Sequence, residues 1–210
     1  MATRDTIIAA KEKLVEAFRA KGKTSGELGR LPAGQRLTTG FPVLDLGERP
    51  VMDMASWELE IVGDVEKPGK YTLADLLKLG VIHYTQDFHC VTSWSKFDVG
   101  WSGISILKIV ELVKPLGSWN YLIQYGNDGY STNVAREDVE REDVFLAFEL
   151  EGKPIPRDHG YVRLIIPHLY AWKTSKFLYK LEFSAVDKPG FWEVRGYHNR
   201  GNAFLEERNG

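Results

Sequence analysis

From Trp57 onward the chain alternates between two hydrophobic periods. WELEIVG, residues 57–63, spaces Trp57, Leu59 and Ile61 two apart, the period of a half-buried strand, and 64–70 with Pro68-Gly69 reads as the turn that follows. Thr72 stands as an N-cap before ADLLKLG, which Gly80 stops, and ISILKIVELVKP, 104–115, carries a helical stripe ending at Pro115. YLIQYG, YSTNVA, VFLAFEL, YVRLIIP and FLYKLEF follow as strands separated by Gly, Asn, Asp and Pro. Strands do not alternate with helices of crossover length, which argues against a doubly wound parallel sheet and for a mixed α+β fold. Upstream, Ile7, Ala10, Leu14, Val15 and Phe18 share one stripe and predict an amphipathic helix over 5–21, broken by Gly22, Gly26 and Gly29. Residues 1–30 are therefore expected to form a helix and linker, and 31–210 the domain. The stretch 31–50, rich in Pro, Gly and Thr, is expected to run irregularly over a surface, where long ordered segments are often functional. REDVERED, 136–143, reads as a solvated turn or helix face.

Composition narrows the partners. The 210 residues carry a formal net charge of -2, which gives no bulk reason to bind nucleic acid or an anionic membrane. One cysteine allows no internal disulfide. No stretch approaches the ~20 apolar residues of a membrane span. The run Ile7 to Ala10 is too short for a signal-peptide core and is interrupted by Lys11, Glu12 and Lys13. The protein is expected to be soluble and cytoplasmic.

That cysteine, Cys90, lies in DFHCVTSWSKFDVGWSG, among polar and small residues rather than in an apolar run. A lone intracellular thiol is commonly an inert packing group. Here His89 and Lys96 supply positive charge, and serines and glycines keep the backbone approachable, surroundings that favour thiolate. Three chemical readings stay open. Cys90 is a nucleophile with a histidine base (His83, His159, His168 or His198); it binds zinc with histidines from distant loops; or it is the one protein ligand to a metal whose other ligands belong to an organic cofactor. A second cluster, PHLYAWKTSKF, brings Lys173, Thr174, Ser175 and Lys176 after a strand carrying Arg163 and the turn RDHG, a plausible anion cradle or a plain solvated strand end. QYGNDGYSTNV reads as a hairpin turn followed by Tyr130, whose phenol could donate over a site or simply pack.

HCVTSWSKFDVGWSGISILKIVELVKP resembles the segment of the sulfite oxidase-type molybdopterin-binding domain whose cysteine ligates molybdenum and leads through W-x-G into a helix. GYSTNVAREDVEREDVFLAFELEGKPIPRDHGYVRLIIPHLYAWKTSKFLYKLEF is similar to the rest of that domain, and the ending GFWEVRGYHNRGNAFLEER resembles its small, single-domain prokaryotic members. The resemblance spans residues 31–208. It implies mixed sheets with flanking helices and a molybdenum–molybdopterin cofactor, with tungsten as the alternative metal. Cys90 is implied as the metal's thiolate ligand. His159, Arg163, Thr174, Ser175 and Lys176 match positions that hold the pterin and its phosphate, Thr39 and Phe41 positions that cover it, and Tyr130 one that reaches the metal's exposed oxygen. His89, Lys96 and Lys173, with His168, are expected to stabilise an anionic or polar substrate. The implied activity is two-electron oxo transfer of the sulfite oxidase kind, coupled to an external one-electron carrier. Reduction of an S-oxide or N-oxide is the alternative within the same cofactor class, and non-catalytic pterin carriage the alternative outside it. The pattern departs from the family at two functional places: Ser95 and Lys96 stand where sulfite oxidases carry an arginine for the substrate oxyanion, and Thr38 and Thr39 stand where a basic residue is expected upstream.

Overall fold

The computed structural model describes residues 4–6, 8–10, 13 and 29–210. Residues 4–6, 8–10 and 13 are helical. Ile7, Leu14, Val15 and Phe18 of the expected stripe lie outside the described residues. Among the described residues, no helix is long and apolar enough to cross a membrane.

The fold is α+β, built on two mixed sheets. One runs β3 (Gly69–Thr72), β2 (Glu58–Gly63), β11 (Leu178–Ser184), β6 (Tyr121–Gly126), β7 (Ser131–Ala135), with β2 and β11 parallel and the other pairs antiparallel. The other runs β1 (Arg36–Leu37), β5 (Trp94–Ser105), β8 (Phe145–Leu150), β10 (Arg163–Ile165); β4 (Ile82–Cys90) also pairs with β5, and β9 (Lys153–Pro154) with β8. The irregular course expected for 31–50 is observed, apart from the two residues of β1. Thr72 caps the helix Leu73–Leu77 in a reciprocal box: its hydroxyl accepts the Asp75 N–H at 3.1 Å and the Asp75 carboxylate accepts the Thr72 N–H at 3.3 Å. Ile106–Val113 forms the second expected helix, buries Ile106, Ile109 and Val113, and ends at Lys114 in a left-handed conformation, just before Pro115.

Alternation on the second sheet decides what each face holds. Leu146 and Leu164 face the main core, where they meet Leu59, Ile61, Leu122 and Phe183 from the first sheet and the helix Ile106–Val113. Phe145, Ala147 and Ile165 face the other way, into an aromatic cluster with Phe88, Cys90, Trp94 and Trp101. Arg163 shares that second face by the same two-residue period. Gly103 lets β5 lie against β8, since a Cβ there would sit 2.5 Å from the Leu146 carbonyl oxygen and 2.9 Å from the Phe145 ring.

The segment 87–103, which gave no strand signal in the sequence, is largely the β4–β5 hairpin. Its strand pattern is hidden because both faces carry polar side chains. A bulge interrupts the pairing between Gln86 and Phe88, where Asp87 of β4 stands opposite two residues of β5, Phe97 and Asp98, and Arg30 spans it, holding Asp87 through two hydrogen bonds, at 2.6 and 2.9 Å, while also reaching Asp98. REDVERED also departs from its reading as a solvated face. Arg136–Val139 is a short helix whose Asp138 is buried, accepting from Arg200 Nε at 2.8 Å, Arg200 Nη2 at 2.9 Å and His168 Nε2 at 2.9 Å. Burial opposes ionisation of Asp138, but the His168 and Arg200 bonds outweigh it and hold the carboxyl down at about 2.

Gly103→Ala is expected to destabilise by about 1–3 kcal/mol through overpacking against β8, read by urea unfolding. The depressed Asp138 value stabilises the folded state above the ordinary carboxylate value of 3.8, and this contribution is lost as pH falls through about 2. Asp138→Asn should therefore lower the midpoint at neutral pH and flatten the acid limb of the stability profile, checked by unfolding between pH 7 and 2.

Candidate functional site

The site starts at the corner of the β4–β5 hairpin. Three residues, Val91, Thr92 and Ser93, connect Cys90 to its strand partner Trp94, and Ser93 sits at φ 67°. A three-residue hairpin loop ends on a left-handed residue, normally glycine, so Ser93 fills a place its side chain disfavours. The Cys90 carbonyl accepts the Ser93 N–H at 3.1 Å, and Cys90 Sγ lies 3.1 Å from Thr92 Oγ1. The thiol's polar neighbours are thus the chemistry of a tight corner.

Beside this corner opens a cleft of about 760 Å³ between two aromatic clusters. On one wall Phe41 lies 4.6 Å from the His159 ring and 5.0 Å from Phe88, and Arg163 lies 5.2 Å over the Phe88 ring. The other wall carries Tyr130, Trp172, Trp192 and Tyr197 with Leu46. Cys90, Thr174, Lys176, Asp45 and Asp128 also line the space. Gly160, at φ 100°, brings the turn after His159 against Lys176, whose Cβ would be 2.6 Å from an added methyl. Lys176 Nζ donates to the Asp158 carbonyl at 2.7 Å.

Seven residues anticipated from sequence meet in this cleft: Phe41, Cys90, Tyr130, His159, Arg163, Thr174 and Lys176. Burial lowers the Arg163 guanidinium to about 10, opposed by Cys90 and Tyr130, so it stays charged at neutral pH. One of its nitrogens, Nη2, donates to Thr174 Oγ1 and, at 3.2 Å, to the Thr174 carbonyl. Its Nε is buried with no partner. Burial, reinforced by Arg163 and Lys176, lowers His159 to about 4, leaving a neutral imidazole. Burial and the Glu193 carboxylate push the Tyr130 phenol well above its usual range, and its hydroxyl donates to the Trp172 carbonyl.

Six anticipated residues lie elsewhere. Strand parity turns His89 away from Cys90; its Nδ1 pairs with Ser95 Oγ at 2.9 Å and its ring lies 5.3 Å from Phe204. Burial lowers it to about 4, so it supplies no charge to the thiol. Lys173 is fully buried behind the aromatic wall, donating to Glu193 Oε1 at 2.6 Å, the Asn199 carbonyl at 2.7 Å and Asn133 Oδ1 at 3.0 Å. Ser175 is buried too, its N–H on Gln124 Oε1 at 3.0 Å and its hydroxyl on the Lys176 carbonyl at 3.1 Å. Lys96 Nζ donates to the Thr39 carbonyl at 2.8 Å, which ties the irregular strap to β5 and leaves both residues outside the cleft lining. His168 serves Asp138. Sequence reasoning missed the second wall, Trp172, Trp192 and Tyr197, and the two acids Asp45 and Asp128; aromatic residues scattered over 26 positions give no periodic signal.

Two chemical readings of Cys90 lose ground. Among the described residues, no group of three or more His, Cys, Asp or Glu side chains is placed to hold a metal ion, which removes the zinc site. Of the histidines proposed as bases, His83 pairs with Ser102, His168 with Asp138, and His198 Nδ1 accepts two backbone N–H groups, so that the nucleophile reading narrows to His159, which lines the cleft with Cys90. A single thiol facing a cleft, beside a buried guanidinium with an unused donor, fits a metal carried by a bulky polar cofactor.

Residues 46–192 match the family described as oxidoreductase molybdopterin binding domain, and the chain belongs to that family. It is a molybdopterin-dependent oxidoreductase. It is 36% identical over 190 residues to an uncharacterized oxidoreductase, YuiH, of Bacillus subtilis (strain 168), covering 90% of this chain and 96% of that protein. It is 24% identical over 156 residues to the protein-methionine-sulfoxide reductase catalytic subunit MsrP of Campylobacter jejuni, covering 66% of this chain and 52% of that one. The chain thus spans about half the length of this relative. The sulfane dehydrogenase SoxCD of Paracoccus pantotrophus has a similar fold, with TM-score 0.59 and 20% identity over 66% of this chain and 40% of that one.

Lys173→Ala, which strands the buried Glu193, is expected to cost about 3–5 kcal/mol. Lys176→Ala, losing one carbonyl bond, should cost about 1 kcal/mol. Parallel denaturant titrations separate the buried strut from the cleft residue.

Proposed function

We propose that this protein reduces a neutral S-oxide or N-oxide by two-electron oxo transfer, at a molybdenum whose protein ligand is Cys90. The observation that carries this reading is the charge of the cleft. Its lining holds two cations, Arg163 and Lys176, against two acids, Asp45 and Asp128, and a neutral His159. Arg163 and Lys176 already bond to Thr174 and Asp158 on the Phe41 wall. Among the described residues that line the cleft, the opposite wall offers aromatic faces and no cation. An oxyanion such as sulfite would lose its hydration there without a fixed positive charge to replace it, a cost that a neutral oxide does not meet. The MsrP relatives, named as methionine-sulfoxide reductases, agree with this direction.

When bound, the cofactor supplies the oxo-transfer chemistry and the two-electron capacity. The chain's residues supply the rest. Arg163 Nε and the Lys176 ammonium offer charge-assisted donors to the pterin's polar edge and phosphate, and His159 under Phe41 presents a neutral ring beside them. Tyr130 stays protonated and braces Trp172. The Trp172, Trp192 and Tyr197 wall holds an apolar substituent and excludes water from the thiolate side. The overall change takes two electrons and two protons to convert the oxide to the reduced compound plus water. The electrons come singly from an external carrier. A cytoplasmic setting is part of the same proposal, as is molybdenum over tungsten.

Elemental analysis of the purified protein, paired with fluorescence of acid-released oxidised pterin, should find molybdenum and pterin near one per chain; zinc without pterin would overturn the reading. Cys90→Ser should remain folded and lose turnover, and Lys176→Ala should lower pterin content several-fold with the fold intact. Protein reduced anaerobically should be reoxidised by a dialkyl sulfoxide or an amine N-oxide. Reduction of the oxidised protein by sulfite, with no response to either oxide, would reverse the assigned direction.

A further inference from the structure

The Cys90 corner is held by two side chains that belong neither to the hairpin nor to the family-matched segment 46–192. Gln35 Nε2, from the irregular strap, donates to the Cys90 carbonyl at 3.0 Å. Arg208 Nη1, from the C-terminal segment, donates to the Val91 carbonyl at 2.7 Å. The other arm of the same guanidinium, Nη2, donates to the Ala33 carbonyl at 3.1 Å, two residues before Gln35, and its carbon lies 4.8 Å over the Tyr170 ring. Arg208 is 6% exposed. Its own backbone is secured by the His198 N–H on its carbonyl, by the Tyr197–Asn209 bridge and by the Gly210 N–H on the Gly196 carbonyl. Neither Gln35 nor Arg208 lines the cleft.

We propose that Arg208, seconded by Gln35, is a positioning residue for the Cys90 thiol. The inference rests on the reading of Cys90 as the metal's ligand. The corner is intrinsically poor at holding one shape, because Ser93 occupies a left-handed position that only its surroundings can enforce. Two consecutive carbonyls, those of Cys90 and Val91, set the plane of the peptides on either side of the turn's first bond. Fixing both from outside fixes the direction in which Cys90 presents its sulfur. Arginine suits the task, since its rigid fork spans two carbonyls on separate segments and its charge strengthens each bond, which a lysine's single point charge does less well. The strap and the tail therefore act together on one turn of the domain. Arg208 works through the Val91 carbonyl next to Cys90 and lies outside the cleft lining.

Cys90 is the chain's one cysteine, so its alkylation by iodoacetamide reads the corner directly in full-length, metal-free protein at a single pH. Arg208→Ala is expected to alkylate about tenfold faster than wild type, the local opening that follows loss of a charge-assisted hydrogen bond. Arg208→Lys should recover part of the protection. Leu76→Ala, a core truncation in the helix Leu73–Leu77, provides the control for general destabilisation and should leave the rate unchanged. Equal rates for wild type and folded Arg208→Ala, or an equal acceleration by Leu76→Ala, would overturn the proposal. If Arg208→Ala does not fold, Gln35→Ala carries the test, with about a threefold acceleration expected from one neutral bond and none overturning it. In the cofactor-loaded protein, Arg208→Ala should retain less molybdenum and show a lower kcat at little-changed KM. Absence of molybdenum from wild type would defeat the ligand reading while leaving the alkylation comparison standing. Molybdenum present with unaltered alkylation would defeat this proposal alone.

Discussion

β5 is the constraint from which the site follows. Its twelve residues pair with β4 along nearly their whole length, with β1 at the start and with β8 at the end, so one strand carries the hairpin that bears Cys90 and the sheet that bears Arg163. Side-chain alternation then does the sorting. Phe88, Cys90, Trp94, Phe145, Ile165 and Arg163 share a face, while Leu146 and Leu164 go to the main core. Gly103 is where this arrangement is tightest, because β5 can approach β8 there only without a side chain. A thiol and a guanidinium from distant parts of the chain are thereby set around one cleft by backbone hydrogen bonds rather than by loops.

Charge is distributed with equal economy. The fully buried Lys173 lies behind the aromatic wall, neutralised by Glu193, and the buried Asp138 lies behind the short helix Arg136–Val139, neutralised by Arg200 and His168. Both ion pairs tie the C-terminal segment 193–200 to the sheets. Neither adds charge to the cleft. What remains there is one buried guanidinium, one ammonium and two carboxylates, and burial raises Asp128 above its ordinary range. The cleft is polar on the Phe41 side and close to neutral on the side of Trp172.

The sequence makes legible whatever depends on short-range pattern. The capping box at Thr72, the stripe of Ile106–Val113 and the alternation of β2, β6, β8 and β11 are all local signals, and all are observed. The resemblance also brought Cys90, His159, Arg163, Thr174 and Lys176 to one place. It failed where parity or depth decides. His89 sits beside Cys90 in sequence yet points the opposite way, and Lys173 and Ser175 are adjacent to cleft residues yet turn inward to Glu193 and Gln124. The β4–β5 hairpin was missed because a strand facing a polar cleft on one side and a polar surface on the other has no hydrophobic period. Gln35 and Arg208 carry no local signal, since their partners are carbonyls 55 and 117 residues away.

The bulge opposite Asp87 has a consequence for which side chains share a face. A strand presents every second side chain to a given face, so inserting or removing one residue upstream exchanges the two sets. β4 keeps its count through Tyr84, Phe88 and Cys90, so sulfur faces the cleft side and imidazole faces Phe204, while the extra residue on β5 brings Trp94 to the same side as Val99 and Trp101. Slide the strand by one position and the cleft would be offered a nitrogen. Whether a thiol or an imidazole meets the cleft is thus written as a matter of odd and even in the backbone count. A surface cluster of Arg30 with Asp87 and Asp98, worth little in stability, spans the place where that count changes on the neighbouring strand.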